Sequence, residues 1–121
     1  MILRNRHVLA VHDVRAAAQF YVDVLGFQIV QEPPGWIFVE REGCMLMLGE
    51  CPDDLHPARL GCHRYFAYLL VDDADGWHAQ IAAKDPLCLG AIEDKPWGMR
   101  EFVVASADGH TLTIGQRIAS V

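Results

Sequence analysis

Residues 94–116 read DKPWGMREFVVASADGHTLTIGQ, and this stretch decides the fold. Pro96-Trp97-Gly98 is a tight turn that feeds an apolar strand. Ala107-Asp108-Gly109 turns the chain back into a second strand over residues 111–114. Asp-Gly accepts positive φ at low cost, so a β-hairpin is the expected outcome. An exposed turn has little use for an indole. Trp97 is therefore expected to cover something, and a ligand is one candidate.

The rest of the chain echoes this hairpin. Residues 6–11 alternate as a strand, with Arg6, Val8 and Ala10 on one face and His7, Leu9 and Val11 on the other. Asp13 is placed to cap a helix that runs to about Leu25 and stops at Gly26. Strands are expected over 27–31, 36–41 and 44–49, separated by turns at Pro33-Pro34-Gly35 and Glu42-Gly43. After an irregular stretch at 50–61 the same order returns. A strand over 64–71 precedes a helix capped by Asp73 or Asp75 and stopped at Asp85-Pro86, and a short strand over 88–92 leads into the hairpin. Val11-His12-Asp13 is echoed by Val71-Asp72-Asp73, Phe38-Val39 by Phe102-Val103, and Leu46-Met47-Leu48-Gly49 by Leu112-Thr113-Ile114-Gly115. Such a repeat predicts two like units. Each has one helix for four strands, which covers one sheet face and leaves the other for a partner or a ligand. The fold class is α+β, one domain over 1–121 with modules at 1–55 and 62–121 and a linker at 50–61.

Composition narrows the functions. A chain of 121 residues, half of them apolar, has enough material for one packed core. A net charge of −6 disfavours nucleic acid and anionic membranes and favours a cationic ligand. The start lacks the apolar region of a signal peptide and no 18-residue apolar run occurs, so a cytoplasmic location is expected. Cys44, Cys51, Cys62 and Cys88 have no Cys-x-x-Cys spacing and are expected as free thiols. No nucleophile elbow, phosphate-binding loop or zinc motif occurs, and His12, His63, His78 and His110 show no ligand spacing.

Taken together, Val11-x-Asp13, Phe20-Tyr21-x-Asp23-Val24-Leu25-Gly26-Phe27, Pro96-Trp97-Gly98-x-Arg100-Glu101-Phe102 and Asp108-Gly109 resemble the vicinal oxygen chelate superfamily. Glyoxalase I, extradiol dioxygenases, fosfomycin-resistance enzymes and bleomycin-resistance proteins belong to it. The resemblance implies paired βαβββ modules forming a curved mixed sheet around a cleft, commonly in a homodimer. It also implies a divalent metal held by His and Glu on cleft-facing strands. Counting from the shared landmarks, those positions hold Arg6, Met47, Phe66 and Thr113. Such a set is unsuited to a hard or borderline divalent ion. His7 is one residue out of register and should face the helix side.

What remains is similar to the bleomycin-resistance type, which binds its ligand without metal, cofactor or catalysis. In that type an aromatic residue before the third strand and the tryptophan of the Pro-Trp-Gly turn hold a planar cation between them, across the dimer. Here these are Trp36 and Trp97. Alternation adds Arg6, Val8, Met45, Met47, Phe66, Tyr68, Thr111 and Thr113 as a mostly apolar lining, which suits a small-molecule site. The sequence reading thus takes Trp36, Trp97, Arg6, Met47, Phe66, Tyr68 and Thr113 as ligand-binding residues of a homodimer. It takes none as catalytic. Arg6 would pair with an anionic ligand or with Glu101. Arg100 and Glu101 are expected to pair with each other or with the opposite module. Two other readings stay open. One is a metal-dependent lyase or dioxygenase with ligands from unusual positions such as His7, His63, Glu40 and Glu101. The other is a metal-free enzyme using Tyr68, Arg6 or a cysteine. The loop at 50–61, with Asp53, Asp54 and His56, is either a solvated linker or a lid.

Overall fold

The computed structural model describes residues 1–119. The chain order is β1 (His7–Val11), α1 (Val14–Asp23), β2 (Gln28–Gln31), β3 (Trp36–Arg41), β4 (Cys44–Glu50), β5 (Tyr65–Leu70), α2 (Ala74–Lys84), β6 (Glu93–Lys95), β7 (Met99–Ala105) and β8 (Thr111–Arg117). The strands form two four-stranded mixed sheets of the same order, β1-β4-β3-β2 and β5-β8-β7-β6. In each, the first strand runs parallel to the last and the rest are antiparallel.

The repeat extends to single atoms. Asp13 accepts from the Ala16 N–H at 3.0 Å, and Asp73 accepts from the Gly76 N–H at 3.0 Å. Both fill the N-cap role. A second acceptor reaches each helix start from the end of its own module's last strand. Glu50 Oε2 takes the Val14 N–H at 3.2 Å, and Gln116 Oε1 takes the Ala74 N–H at 3.0 Å. Each crossover is thus tied to the strand it covers.

The helix-side faces meet in one core. Leu9, Val11, Ile37, Val39, Leu46 and Leu48 of the first sheet and Phe102, Val104, Leu112 and Ile114 of the second belong to a single buried cluster, with Ala18, Tyr21 and Leu25 from around α1. At about 25 cal/mol per Å² of apolar surface removed from water, this cluster is the main stabilising term. Polar pins cross the same seam. The buried His110 donates from Nε2 to the Ala10 carbonyl at 2.9 Å and holds its ring edge-on to Phe66 at 5.9 Å. The Arg41 guanidinium, at the end of β3, donates to the Leu25 carbonyl at 2.8 Å and lies 3.9 Å over the ring of Trp77 on α2.

Four sequence expectations need correction. The strand expected at 88–92 is a 3-10 turn at Pro86–Cys88, and the pairing strand comes later, at Glu93–Lys95. Within 88–92 only an isolated Leu89–Val104 bridge forms. Second, Phe38 and Phe102 are not equivalent. Gly49 lies opposite Trp36 and Gly115 opposite Glu101, so the register matches Phe102 with Ile37. Phe102 is in the core, whereas Phe38 lies opposite Met47 on the open face. Third, Phe66 is not on that face. A bulge between Tyr65 and Ala67 inserts it as an extra residue, and it packs against the core with its ring 6.1 Å from His7. One extra residue reverses strand parity. Fourth, Arg100 pairs neither with Glu101 nor with the opposite module. It grips Asp94 at 2.7 and 3.1 Å and Asp75 of α2 at 3.0 Å. Neighbours on a strand point to opposite faces, so Arg100 and Glu101 cannot share one.

The linker carries two 3-10 turns, Pro57–Arg59 and Gly61–Arg64, with Pro57 buried. All four cysteines are free. Among the described residues no helix is long and apolar enough to cross a membrane.

Candidate functional site

The faces turned away from the helices remain open. Register places Val8 and Ala10 of β1, Trp36, Phe38 and Glu40 of β3, and Met45, Met47 and Gly49 of β4 on the open face of the first sheet. On the second, Tyr65 and Tyr68 of β5, Glu101 and Val103 of β7, and Thr111, Thr113 and Gly115 of β8 share the corresponding face. Val8 is 62% exposed, Leu70 65% and Trp97 53%. Exposed apolar groups on both sheet faces and at the β6–β7 turn are candidates for a binding surface.

Glycine shapes both faces. A Cβ at Gly49 would stand 2.9 Å from the Trp36 ring, and a Cβ at Gly115 would fall inside the Tyr68 phenol. The missing side chains leave two notches in equivalent strands, and an aromatic ring lies in each. Trp36 fills the first from directly across the ladder, edge-on to Phe38 at 6.2 Å. Beside it is a hollow of about 210 Å³, lined by Val8, Ala10, Gly35 and Gly49 among others. Tyr68 fills the second from the opposite neighbour strand. It reaches over Gly115 to donate its hydroxyl to Glu101 Oε2 at 2.7 Å. Desolvation, then the hydrogen bond to Glu101 and its charge, push the Tyr68 pKa up to about 12, with Arg117 opposing. Tyr68 is therefore a protonated donor at neutral pH, not a phenolate base.

A larger cavity of about 480 Å³ lies between the modules, with His7, Arg41, Cys44, Met45, Tyr68 and Trp77 in its wall. Burial, then the nearby Glu40 charge, raises the Cys44 thiol pKa, which disfavours the nucleophilic thiolate.

The sequence-derived residues are distributed as follows. Trp36, Met47, Tyr68 and Thr113 stand on the two open faces. Arg6 is exposed and just precedes β1. Trp97 is at the turn between β6 and β7, where the Gly98 N–H donates to the Lys95 carbonyl at 3.0 Å and Lys95 Nζ sits 5.9 Å from the indole. Phe66 backs the face from the core side. Phe38 and the two glycine notches escaped the sequence reading, which offered Glu101 only as an ion-pair partner or as a metal ligand. Phe38 was masked by the one-residue error in matching the repeats, and the notches have no signal beyond a glycine in each last strand.

The donor set does not fit the metal that the fold family implies. The four counted positions offer a guanidinium, a thioether, a phenyl ring and a hydroxyl, and Phe66 has also left the face. Among the described residues no three His, Cys, Asp or Glu side chains are grouped to hold an ion. Of the alternative ligands, Glu101 takes the Tyr68 hydroxyl, and His7 lies opposite Leu46 on the core side.

Comparison with known proteins agrees with this architecture. A bleomycin-binding protein solved with bleomycin is similar over 95% of this chain and 98% of its own, at 25% identity and a TM-score of 0.79. The bleomycin-binding protein of bleomycin-producing Streptomyces verticillus, solved with copper(II)-bleomycin, matches over 99% and 98% at 23% identity and a TM-score of 0.74. A lactoylglutathione lyase from Agrobacterium tumefaciens matches over 96% and 92% at 22% identity and a TM-score of 0.69. No curated protein matched the sequence. Residues 4–114 match the family described as the Glyoxalase/Bleomycin resistance protein/Dioxygenase superfamily, and the chain belongs to it.

Proposed function

We propose that the protein is a metal-free small-molecule-binding protein of the bleomycin-resistance type, one that sequesters an aromatic ligand and does not transform it. One observation carries this reading: the positions counted as metal-binding hold Arg6, Met47, Phe66 and Thr113, while the open sheet faces present Trp36, Met45, Met47 and Tyr68. Flat rings and thioethers hold planar ligands by stacking and dispersion, and Met adapts to irregular shapes. The likeness to two bleomycin-binding proteins supports the same class.

The ligand-binding residues in this reading are Trp36, Met47, Tyr68 and Thr113, with Arg6 at the rim and Trp97 closing the site. Trp36 and Trp97 belong to different sheets of one chain. In this reading a second copy brings the partner's turn tryptophan over Trp36, in a homodimer that also covers the exposed Val8 and Leu70.

Titration with metal-free bleomycin and with copper(II)-bleomycin, followed by tryptophan fluorescence, tests the reading. Trp36→Ala and Trp97→Ala should each weaken binding by about fivefold to thirtyfold, the loss of one aromatic stacking contact of about 1–2 kcal/mol. Light scattering should still give a dimer for Trp97→Ala. A monomer would make Trp97 a structural residue, and unaltered binding in both variants would remove the site from these faces.

A further inference from the structure

Equivalent positions in the two modules carry different chemistry. Opposite the first glycine notch stands Trp36, and opposite the second stands Glu101. Glu101 is a partly exposed carboxylate on a face it shares with Val103, Tyr65, Tyr68, Thr111, Thr113 and Arg117, yet it is held in place. Tyr68 crosses the last strand over Gly115 and donates to its Oε2 at 2.7 Å. Only glycine at 115 permits this reach, because any Cβ there would occupy the place of the phenol. Among the described residues no side chain bonds the other oxygen, Oε1, and no ion pair claims the group. Arg117 shares the face, opposite Met99 in the ladder; its charge opposes the rise in the Tyr68 pKa, and it forms no ion pair with Glu101 among the described residues. A carboxylate so oriented, with one oxygen free beside apolar surface, is suited to a charge-assisted hydrogen bond from outside.

From this geometry we propose that Glu101, positioned by Tyr68 across the Gly115 notch, reads a protonated nitrogen on the bound ligand. An aromatic cation, the ligand class that the resemblance already implies, then lays its ring against the face and directs its N–H at Glu101 Oε1. This rests on the small-molecule-binding reading above and adds the group that selects charge. The chain's net charge of −6 favours the encounter with such a ligand.

Two aromatic dyes of opposite charge separate the proposal from the reading beneath it: proflavine, cationic at neutral pH, and anilinonaphthalene sulfonate, an anion. Affinity is read by dye fluorescence on the dimeric full chain, with circular dichroism as the fold control. Glu101→Gln should weaken proflavine by about tenfold and leave the anionic dye within twofold or tighter, because the amide keeps the shape and loses the charge. Tyr68→Phe, which frees Glu101 without removing it, should weaken proflavine by about threefold. Added salt should weaken proflavine and not the anion. This salt dependence and Tyr68→Phe carry the test if Glu101→Gln does not fold. If Glu101→Gln binds proflavine normally while Trp36→Ala weakens both dyes, the assignment of Glu101 is wrong and the binding reading stands. If neither dye binds, or Trp36→Ala changes neither, both fall.

Discussion

Replacing His110 with leucine should loosen the seam between the modules, by an amount the structure allows to be worked out. The ring is 7% exposed, and its Nε2 donates at 2.9 Å to the carbonyl of Ala10, one hundred residues away in sequence. Leucine leaves that carbonyl without its donor, at a cost of about 1–3 kcal/mol for a part-buried acceptor. It also removes an edge-to-face contact with Phe66 at 5.9 Å, about 0.5–1 kcal/mol beyond area burial. Leucine refills much of the volume, so the cavity contribution is small. The sum is about 1.5–4 kcal/mol, or roughly 5–20 °C in Tm for a domain of this size. His110→Gln, which can still present an N–H to Ala10, should recover about half. Urea and thermal unfolding of the three proteins at fixed concentration measure this, since dimerisation would add its own dependence. Leucine within 0.5 kcal/mol of wild type would mean that the seam rests on apolar packing alone.

Other perturbations test other parts. Gly109 has φ +95°, and a Cβ there would come 2.7 Å from the Ala58 nitrogen. Gly109→Ala should therefore cost about 1–3 kcal/mol by urea unfolding, the strain of a left-handed residue plus the displaced linker. Alkaline titration of phenolate absorbance should show Tyr68 ionising near pH 12, a step lost in Tyr68→Phe. Because its folded pKa lies above the unfolded value of about 10, its contribution to stability is complete below pH 10 and is lost as pH rises toward 12. In acid the sign reverses for Asp94, whose pKa the Arg100 hydrogen bond lowers. The contribution of that pair holds above the unfolded carboxylate value and fades as pH falls through the folded one, so Arg100→Met should flatten the acid limb of the stability curve.

Local chemistry made much of this fold legible. Asp13 and Asp73 cap the helices expected of them, and the Asp-Gly turn at 108–109 closes the hairpin with Gly109 at positive φ. Alternation placed Met45, Met47 and Thr113 on the open faces because β4 runs without interruption opposite β1 and β3, and β8 opposite β7; Tyr68 joins them because it follows the β5 bulge and stands opposite Thr113. It failed at Phe66, where one inserted residue changed the parity of everything before it, and no residue type announces such a bulge. Pairing of side chains was less legible than position. Arg100 looked toward Glu101 in sequence, yet strand geometry sends it to Asp94 and Asp75. The device that orients Glu101 requires three strands side by side, which a linear reading does not supply.

Metal content tests the central claim most directly. Protein purified without chelator, then offered zinc, nickel, manganese and iron(II), should carry less than about a tenth of an ion per chain by elemental analysis, with no rise in Tm on addition, because the strand positions offer no donors for such ions. About one divalent ion per chain, lost together with ligand binding or activity on chelation, would contradict it and place this chain with the metal-using members of its superfamily.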